Sequence, residues 1–348
     1  MIDDIHFTKG WINSVKKDYP AIDPTILEKT IYAFELVSLL ASEKLEFIFK
    51  GGTSLLLLLP KPLRLSIDID IIVNTSQQEL EKKLTYALKT NKFSKWIEDP
   101  RNKSNIPKKH YKFFYSSIIN PNLTSYVLLD VLFQDNPYPK TEFKEIVIPN
   151  FNIKTDISVK IPTVNSILGD KLTAFAPKTT GISFGMKKSM EINKQLFDIG
   201  ALFNISDDIE EIKSSFDNFV EIESGYRGNI FSKDDVISDI VKTAFTISQI
   251  NLKGGFKNEV TDEFLQGMKS LRSHLISDTY NLEDAKINAA KTAFCVSAFR
   301  KKIDFIEKKK FDINKINSTK LQEELSILER IRNIIPEAYY YWQLTQEL

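Results

Sequence analysis

Two aspartates one residue apart, Asp68 and Asp70, lie inside the run Arg64-Leu65-Ser66-Ile67-Asp68-Ile69-Asp70-Ile71-Ile72-Val73. Its Ile and Val content suits a β-strand. On a strand, residues two apart share a face with Cα atoms about 6.6 Å apart. Two carboxylates held that closely repel one another and are relieved by a cation between them. Hard oxygen donors suit Mg²⁺, with Mn²⁺ as the substitute. A merely solvated strand face is the bland alternative, and Ile67, Ile69, Ile71, Ile72 and Val73 are too apolar for an ordinary exposed edge. Just upstream, Lys50-Gly51-Gly52-Thr53-Ser54 reads as a glycine turn opening a helix, with Thr53 or Ser54 as the cap. Glycine lets backbone close on a ligand, and helix N-termini attract phosphate. Lys50 and Arg64 add positive charge for a polyphosphate, and Ser66 can hydrogen-bond beside the strand. A phosphate-holding turn followed by a metal-holding strand is the equipment for moving a nucleotide from an NTP.

A site of this kind calls for a third carboxylate from a neighbouring strand. Asp130, in Tyr126-Val127-Leu128-Leu129-Asp130-Val131-Leu132-Phe133, is the best candidate, because a lone acid among apolar residues is costly unless paired or metal-bound. A strand-end acid facing solvent is the competing reading. Asp135 is the nearby rival, but Asn136-Pro137 marks it as loop. Further on, Lys108, Lys109, Tyr111, Lys112, Phe113, Phe114 and Tyr115 interleave basic and aromatic groups as RNA-binding surfaces do, although half of them should face a strand core. His6, His110 and His274 are scattered without metal-ligand spacing.

The elements that must position these residues follow from punctuation and periodicity. Asp23-Pro24 predicts an N-cap with proline at the first helical position, and Ile31, Phe34, Leu36, Val37 and Leu40 carry that helix to about Lys44. Glu46 to Phe49 predicts a short strand leading into the glycine turn, with Pro60 and Pro62 stopping the helix that follows. A strand over residues 66–73, a helix over 76–90, a polar basic loop over 99–109 and strands over 111–117 and 125–133 come next. Residues 145–149 and 157–161 read as edge strands. Twelve of the 13 prolines precede residue 178, so the second half reads as mostly helical. Tyr339 to Trp342 reads as a terminal helix docked on the core.

Composition narrows the class. With 348 residues, 42% of them hydrophobic and 27% charged, the chain has ample material for two globular domains. A net charge of +1 announces no global attraction to nucleic acid, so any such site must be a local patch. The single cysteine, Cys295, excludes an intrachain disulfide framework and fits a reducing cytoplasm. Asp3 and Asp4 stand where a secretory leader would be basic, and the run Leu55 to Leu59 is far too short to span a bilayer. A cytoplasmic protein without membrane partners is expected.

Gly51-Gly52-Thr53-Ser54 followed by Arg64-x-Ser66-x-Asp68-x-Asp70 resembles the first motif of the AbiEii nucleotidyltransferase-like toxins, within the DNA polymerase β-type nucleotidyltransferase superfamily. Gly169-Asp170-Lys171-Leu172-Thr173-Ala174-Phe175 resembles that family's helical motif with its essential lysine. Lys194-Gln195-Leu196-Phe197-Asp198-Ile199 is similar to its Arg-Asp-Leu-Tyr-Asp-Leu element, which ends in a functional aspartate; Lys194 and Gln195 depart from it. The resemblance implies an α+β fold with a nucleotidyltransferase-like mixed sheet and flanking helices; proline distribution and the helical periods from Thr163 on set the boundary, giving residues 1–162 to that domain and 163–348 to a mainly helical one. The resemblance also implies a toxin of a type IV-like toxin–antitoxin or abortive-infection system, with a cognate antitoxin encoded nearby. The activity implied is metal-dependent transfer of an NMP from an NTP, with the tRNA 3′ end as the first candidate acceptor. Asp68, Asp70 and Asp130 would hold metal, and the Gly51 turn would hold phosphate. Lys171 and Asp198 would assist from the helical side, Asp198 orienting Lys171 or the nucleotide. The bland readings are a solvated helix lysine for Lys171 and, for Asp198, a surface ion pair with Lys194. Transfer to a protein or small molecule, and non-catalytic NTP sensing, stay open.

Overall fold

The computed structural model of the chain describes residues 1–100, 106–276 and 280–348. Its helices begin where the sequence supplies caps. Helix α1 (Lys9–Asp18) starts on the Thr8 hydroxyl, which accepts from Trp11 N. Helix α2 (Pro24–Ser42) starts on Asp23, whose carboxylate accepts from Thr25 N and Ile26 N, with Pro24 in the first turn. Two compact units result. One holds Met1–Asn136 and Lys140–Thr163 with a short stretch from Ser273; the other holds Pro137–Pro139, Val164–Arg272 and the stretch to Leu348.

The first unit is a seven-stranded mixed sheet with helices. Strands β1 (Ile48–Lys50) and β2 (Asp68–Val73) flank helix α3 (Gly51–Leu58), and helix α4 (Gln77–Tyr86) follows. Then come β3 (Lys95–Glu98), β4 (Lys108–Ser116), β5 (Thr124–Phe133), β6 (Thr141–Ile148) and β7 (Ile153–Pro162). Their order is β3-β4-β5-β2-β1-β7-β6. Two pairs are parallel, β1 with β7 and β2 with β5; the rest are antiparallel. Buried α2 residues supply much of the core against one sheet face, with Tyr32 stacked on Tyr115 at 3.6 Å between ring centroids.

The structure differs from the sequence expectations at four places. Residues 157–161 belong to β7, which is interior because β1 and β6 pair with its two sides. Strand β3 was not anticipated, since Lys-Trp-Ile-Glu is short and half charged; Trp96 secures it edge-on to Tyr111 at 5.6 Å. Helix α3 starts at Gly51 itself, with no side chain capping it. Of the polar loop expected over 99–109, residues 101–105 lie outside the described residues, and β4 already starts at Lys108.

The second unit contains helices alone among its described regular elements: α5 (Val164–Ala174), α6 (Ser189–Ile205), α7 (Ile209–Tyr226), α8 (Lys233–Ser248), α9 (Glu259–Leu271), α10 (Leu282–Ser297), α11 (Phe305–Lys308) and α12 (Pro336–Gln346), with short 3₁₀ turns. Helices α5 and α7 meet at Gly169, where a Cβ would stand 2.5 Å from Ile212 O and 2.7 Å from Phe216 N. Only glycine permits that approach. The docked terminal helix is α12, which buries Tyr339, Tyr340, Tyr341 and Trp342, the last donating to Ser248 Oγ at 3.1 Å.

Candidate active site

The carboxylates are placed by strand register. Asp70 of β2 is opposite Lys50 on antiparallel β1 and opposite Asp130 on parallel β5, and Asp130 is opposite His110 on β4. Paired residues of neighbouring strands project to the same side. Lys50, Asp70, Asp130 and His110 therefore form a row across four strands, with Asp68 one pleat along β2 on the same face. Asp68 and Asp70 are half-buried, whereas the alternate residues Ile69 and Ile71 are buried on the other face.

The glycine turn closes on this row. Gly51 has φ +78°, a left-handed backbone that favours glycine, and a Cβ on it would lie 2.2 Å from Asp70 Oδ2. A Cβ on Gly52 would lie 2.6 Å from Arg64 Nη2 and 3.0 Å from Ser66 Oγ. The turn thus runs directly over Asp70, Arg64 and Ser66. Arg64 is buried and donates from Nη1 to Leu65 O at 3.1 Å. The backbone at Leu65 is tied to His274 O at 2.7 Å. Thr53 and Ser54 turn inward instead of capping: Thr53 Oγ1 donates to Asp68 O, and Ser54 Oγ donates to Gly51 O at 3.0 Å. The Thr53 bond locks the first turn of α3 to the start of β2. A helix start with no side-chain cap leaves first-turn N–H groups, and the positive end of the helix dipole, for an anion.

Asp130 stands in the register position for a third acid, and both its oxygens are engaged. His110 Nδ1 is 2.6 Å from Oδ1, and Lys108 Nζ is 2.9 Å from Oδ2. Sequence reading passed over His110; its only signal is the alternation of Lys108, His110 and Lys112 along one face of β4. The rival Asp135 lies in the following loop, accepting from Asn74 Nδ2 at 2.7 Å. Among the described residues no three His, Cys, Asp or Glu side chains form a closed metal cage. The donor set is Asp68 and Asp70 beside an anion-ready turn. That fits Mg²⁺ or Mn²⁺, because such ions keep waters and take one or two protein carboxylates plus substrate phosphate.

In the helical unit, Lys171 Nζ lies 2.9 Å from Asp198 Oδ2, with the side chains only 8% and 2% exposed. Helix α5 and helix α6 thus bring the two motif residues together, and Lys171 is buried, not a solvated helix lysine. Lys194 pairs with Glu191 at 3.1 Å, one turn back on α6. Asp170 accepts from the Tyr138 hydroxyl at 2.5 Å. A cavity of about 400 Å³ opens beside it, lined among others by Asp170, Thr173, Lys188, Glu223 and Arg227.

The family model described as "Nucleotidyl transferase AbiEii toxin, Type IV TA system" matches residues 36–306. No curated protein sequence matches the chain. Among solved structures, MenT4, the nucleotidyltransferase toxin Rv2826c from Mycobacterium tuberculosis H37Rv, is similar with a TM-score of 0.53 and 10% identity, covering 96% of this chain and 98% of that one. JHP933 from Helicobacter pylori is similar with a TM-score of 0.46 and 16% identity, covering 77% of this chain and 90% of that one. At 10% identity the likeness to MenT4 speaks to the fold alone.

Proposed function

For a chain that belongs to the AbiEii family of nucleotidyltransferase toxins of type IV toxin–antitoxin systems, we propose that Asp68 and Asp70 carry Mg²⁺-dependent transfer of an NMP to the 3′ end of tRNA, blocking translation. The family implies an NTP substrate and an antitoxin partner. The observation that carries the assignment is the packing of the Gly51 turn against Asp70, which sets the anion-ready start of α3 beside the strand carboxylates.

In this reading the amides of Gly51 to Ser54 bind the β- and γ-phosphates, with Lys50 and Arg64 adding charge. Asp68 and Asp70 would hold the metal ion, which would supply positive charge against that developing at the α-phosphate. The acceptor hydroxyl oxygen bonds to the α-phosphorus and gives its proton to solvent, the bond from that phosphorus to the α–β bridging oxygen breaks, and pyrophosphate leaves. Asp130, its oxygens already engaged by His110 and Lys108, stands beside Asp70 as the third acid of the row. Lys171, paired with Asp198 within the helical unit, is that unit's candidate for an assisting cation.

The test is incubation of the full chain with radiolabelled NTPs, Mg²⁺ and total tRNA, wild type against Asp68→Ala. Label on the tRNA 3′ end and matching pyrophosphate release are expected, with a loss of at least about 100-fold in Asp68→Ala and an unchanged thermal transition. Undiminished transfer by a folded Asp68→Ala would overturn the assignment. Label appearing on protein or a small molecule would move the acceptor, and NTP binding without pyrophosphate release would point to sensing.

A further inference from the structure

The sheet face that carries Asp68 and Asp70 continues outward across β5, β4 and β3, and there its chemistry changes from acidic to basic and aromatic. We propose that Phe114 and Tyr126, with Lys29, Lys95 and Lys112 around them, form a stacking platform for the single-stranded 3′ end of the acceptor nucleic acid. This inference rests on the nucleotidyl-transfer reading of the carboxylates and names the surface that delivers the acceptor to them.

Strand alternation sorts the basic and aromatic run of β4 into two sets. Tyr111, Phe113 and Tyr115 are fully buried on the α2 side. Lys108, His110, Lys112 and Phe114 take the opposite side, with the carboxylates. Register places Phe114 opposite Tyr126 on β5 and Lys95 on β3, and Lys112 opposite Ile97 and Leu128. The two rings lie 5.8 Å apart at 52°, and Tyr126 is 38% exposed. Lys29 and Lys112 stand over the Tyr126 ring at 5.1 and 5.2 Å, and Lys95 over Phe114 at 5.1 Å. Lys112 also reaches Asp99 at 3.1 Å, which fixes its position beside the rings.

Half-exposed aromatic rings surrounded by ammonium groups match the two parts of a single-stranded nucleic acid, bases that stack on any ring and phosphates that need cations. Spacing supplies the link to catalysis. Tyr126 and Asp130 are four residues apart on one strand, about 13 Å at the usual rise, and Asp130 is beside Asp70. A strand stacked on the platform has its end at the carboxylates after a short span, with no turn of the sheet between.

The experiment measures binding of a short 5′-fluorescein-labelled single-stranded RNA to the full chain by anisotropy, and KM for tRNA and for NTP. Phe114→Ala and Tyr126→Ala should each weaken RNA binding about five- to hundredfold. The loss should fall on KM for tRNA and not on KM for NTP. Tyr126→Phe should restore binding, Lys95→Gln should lower its salt dependence, and Asp68→Ala should bind RNA normally while transferring nothing. A folded Phe114→Ala/Tyr126→Ala double variant with wild-type RNA affinity and tRNA KM would overturn the platform while leaving the transferase reading intact. A wild type that binds no RNA yet labels another acceptor would overturn it too. RNA binding lost with the rings, in a protein that transfers no label, would support the platform and count against the transfer reading.

Discussion

At the scale of single residues, the site depends on a glycine. Gly51 combines a left-handed backbone with a side-chain-free approach to Asp70. Alanine there must adopt a conformation costing about 1–2 kcal/mol and also displace the carboxylate. Gly51→Ala is therefore expected to lower the stability of the sheet unit by about that amount, and to reduce nucleotide transfer by more than the stability loss explains. Urea titration beside an activity assay under fully folded conditions separates the two effects. Full activity in Gly51→Ala would mean that the turn does not need to touch Asp70. The Gly-Gly pair was legible in the sequence as a turn. Its contact with Asp70 was not, because eighteen residues, the rest of α3 among them, separate the two.

At the scale of elements, the Lys171–Asp198 pair joins α5 to α6 in a nearly dry setting. Desolvation makes such a pair a weak net stabiliser, yet removing one member takes a close counter-charge from the other while it stays buried, at up to about 3–5 kcal/mol. Lys171→Met should destabilise the helical unit by that order, and Lys171→Met/Asp198→Leu should recover most of it without restoring transfer. Thermal melts of the single and double variants test this; a Lys171→Met protein as stable as wild type would contradict it. Helical spacing put Lys171 at the margin of an apolar stripe, and α6 supplied its partner. Sequence left a surface ion pair with Lys194 open for Asp198; that Lys171 and Asp198 meet is decided by the packing of α5 on α6.

For the molecule as a whole, Cys295 is a built-in reporter of global unfolding. It is fully buried on α10, and burial pushes its thiol up to about 12. The reactive thiolate is therefore suppressed in the folded chain. Iodoacetamide at pH 8 should leave the native protein unmodified and label it only as urea unfolds the helical unit. Rapid labelling of the folded protein would show that α10 opens locally. The same displacement fixes a pH trend. The folded value lies above the unfolded one, near 8.5, so the associated stability is fully present below that value and is lost as pH rises toward 12. No helix among the described residues is long and apolar enough to cross a membrane.

The amino-acid order alone determined the Asp-x-Asp strand, the glycine turn before it, the Asp23-Pro24 helix start and the helical character of the second half. Each is written in neighbouring residues, through period-two or period-3.6 alternation, caps and breakers. Only the tertiary structure decided that Asp70 has Lys50 on one side and Asp130 on the other, that His110 and Lys108 hold Asp130, that β7 is interior, and that Phe114 meets Tyr126 on the carboxylate face. Alternation says which residues of a strand share a face, but which strand comes to lie beside it, and in which register, is settled by burial summed over the whole sheet.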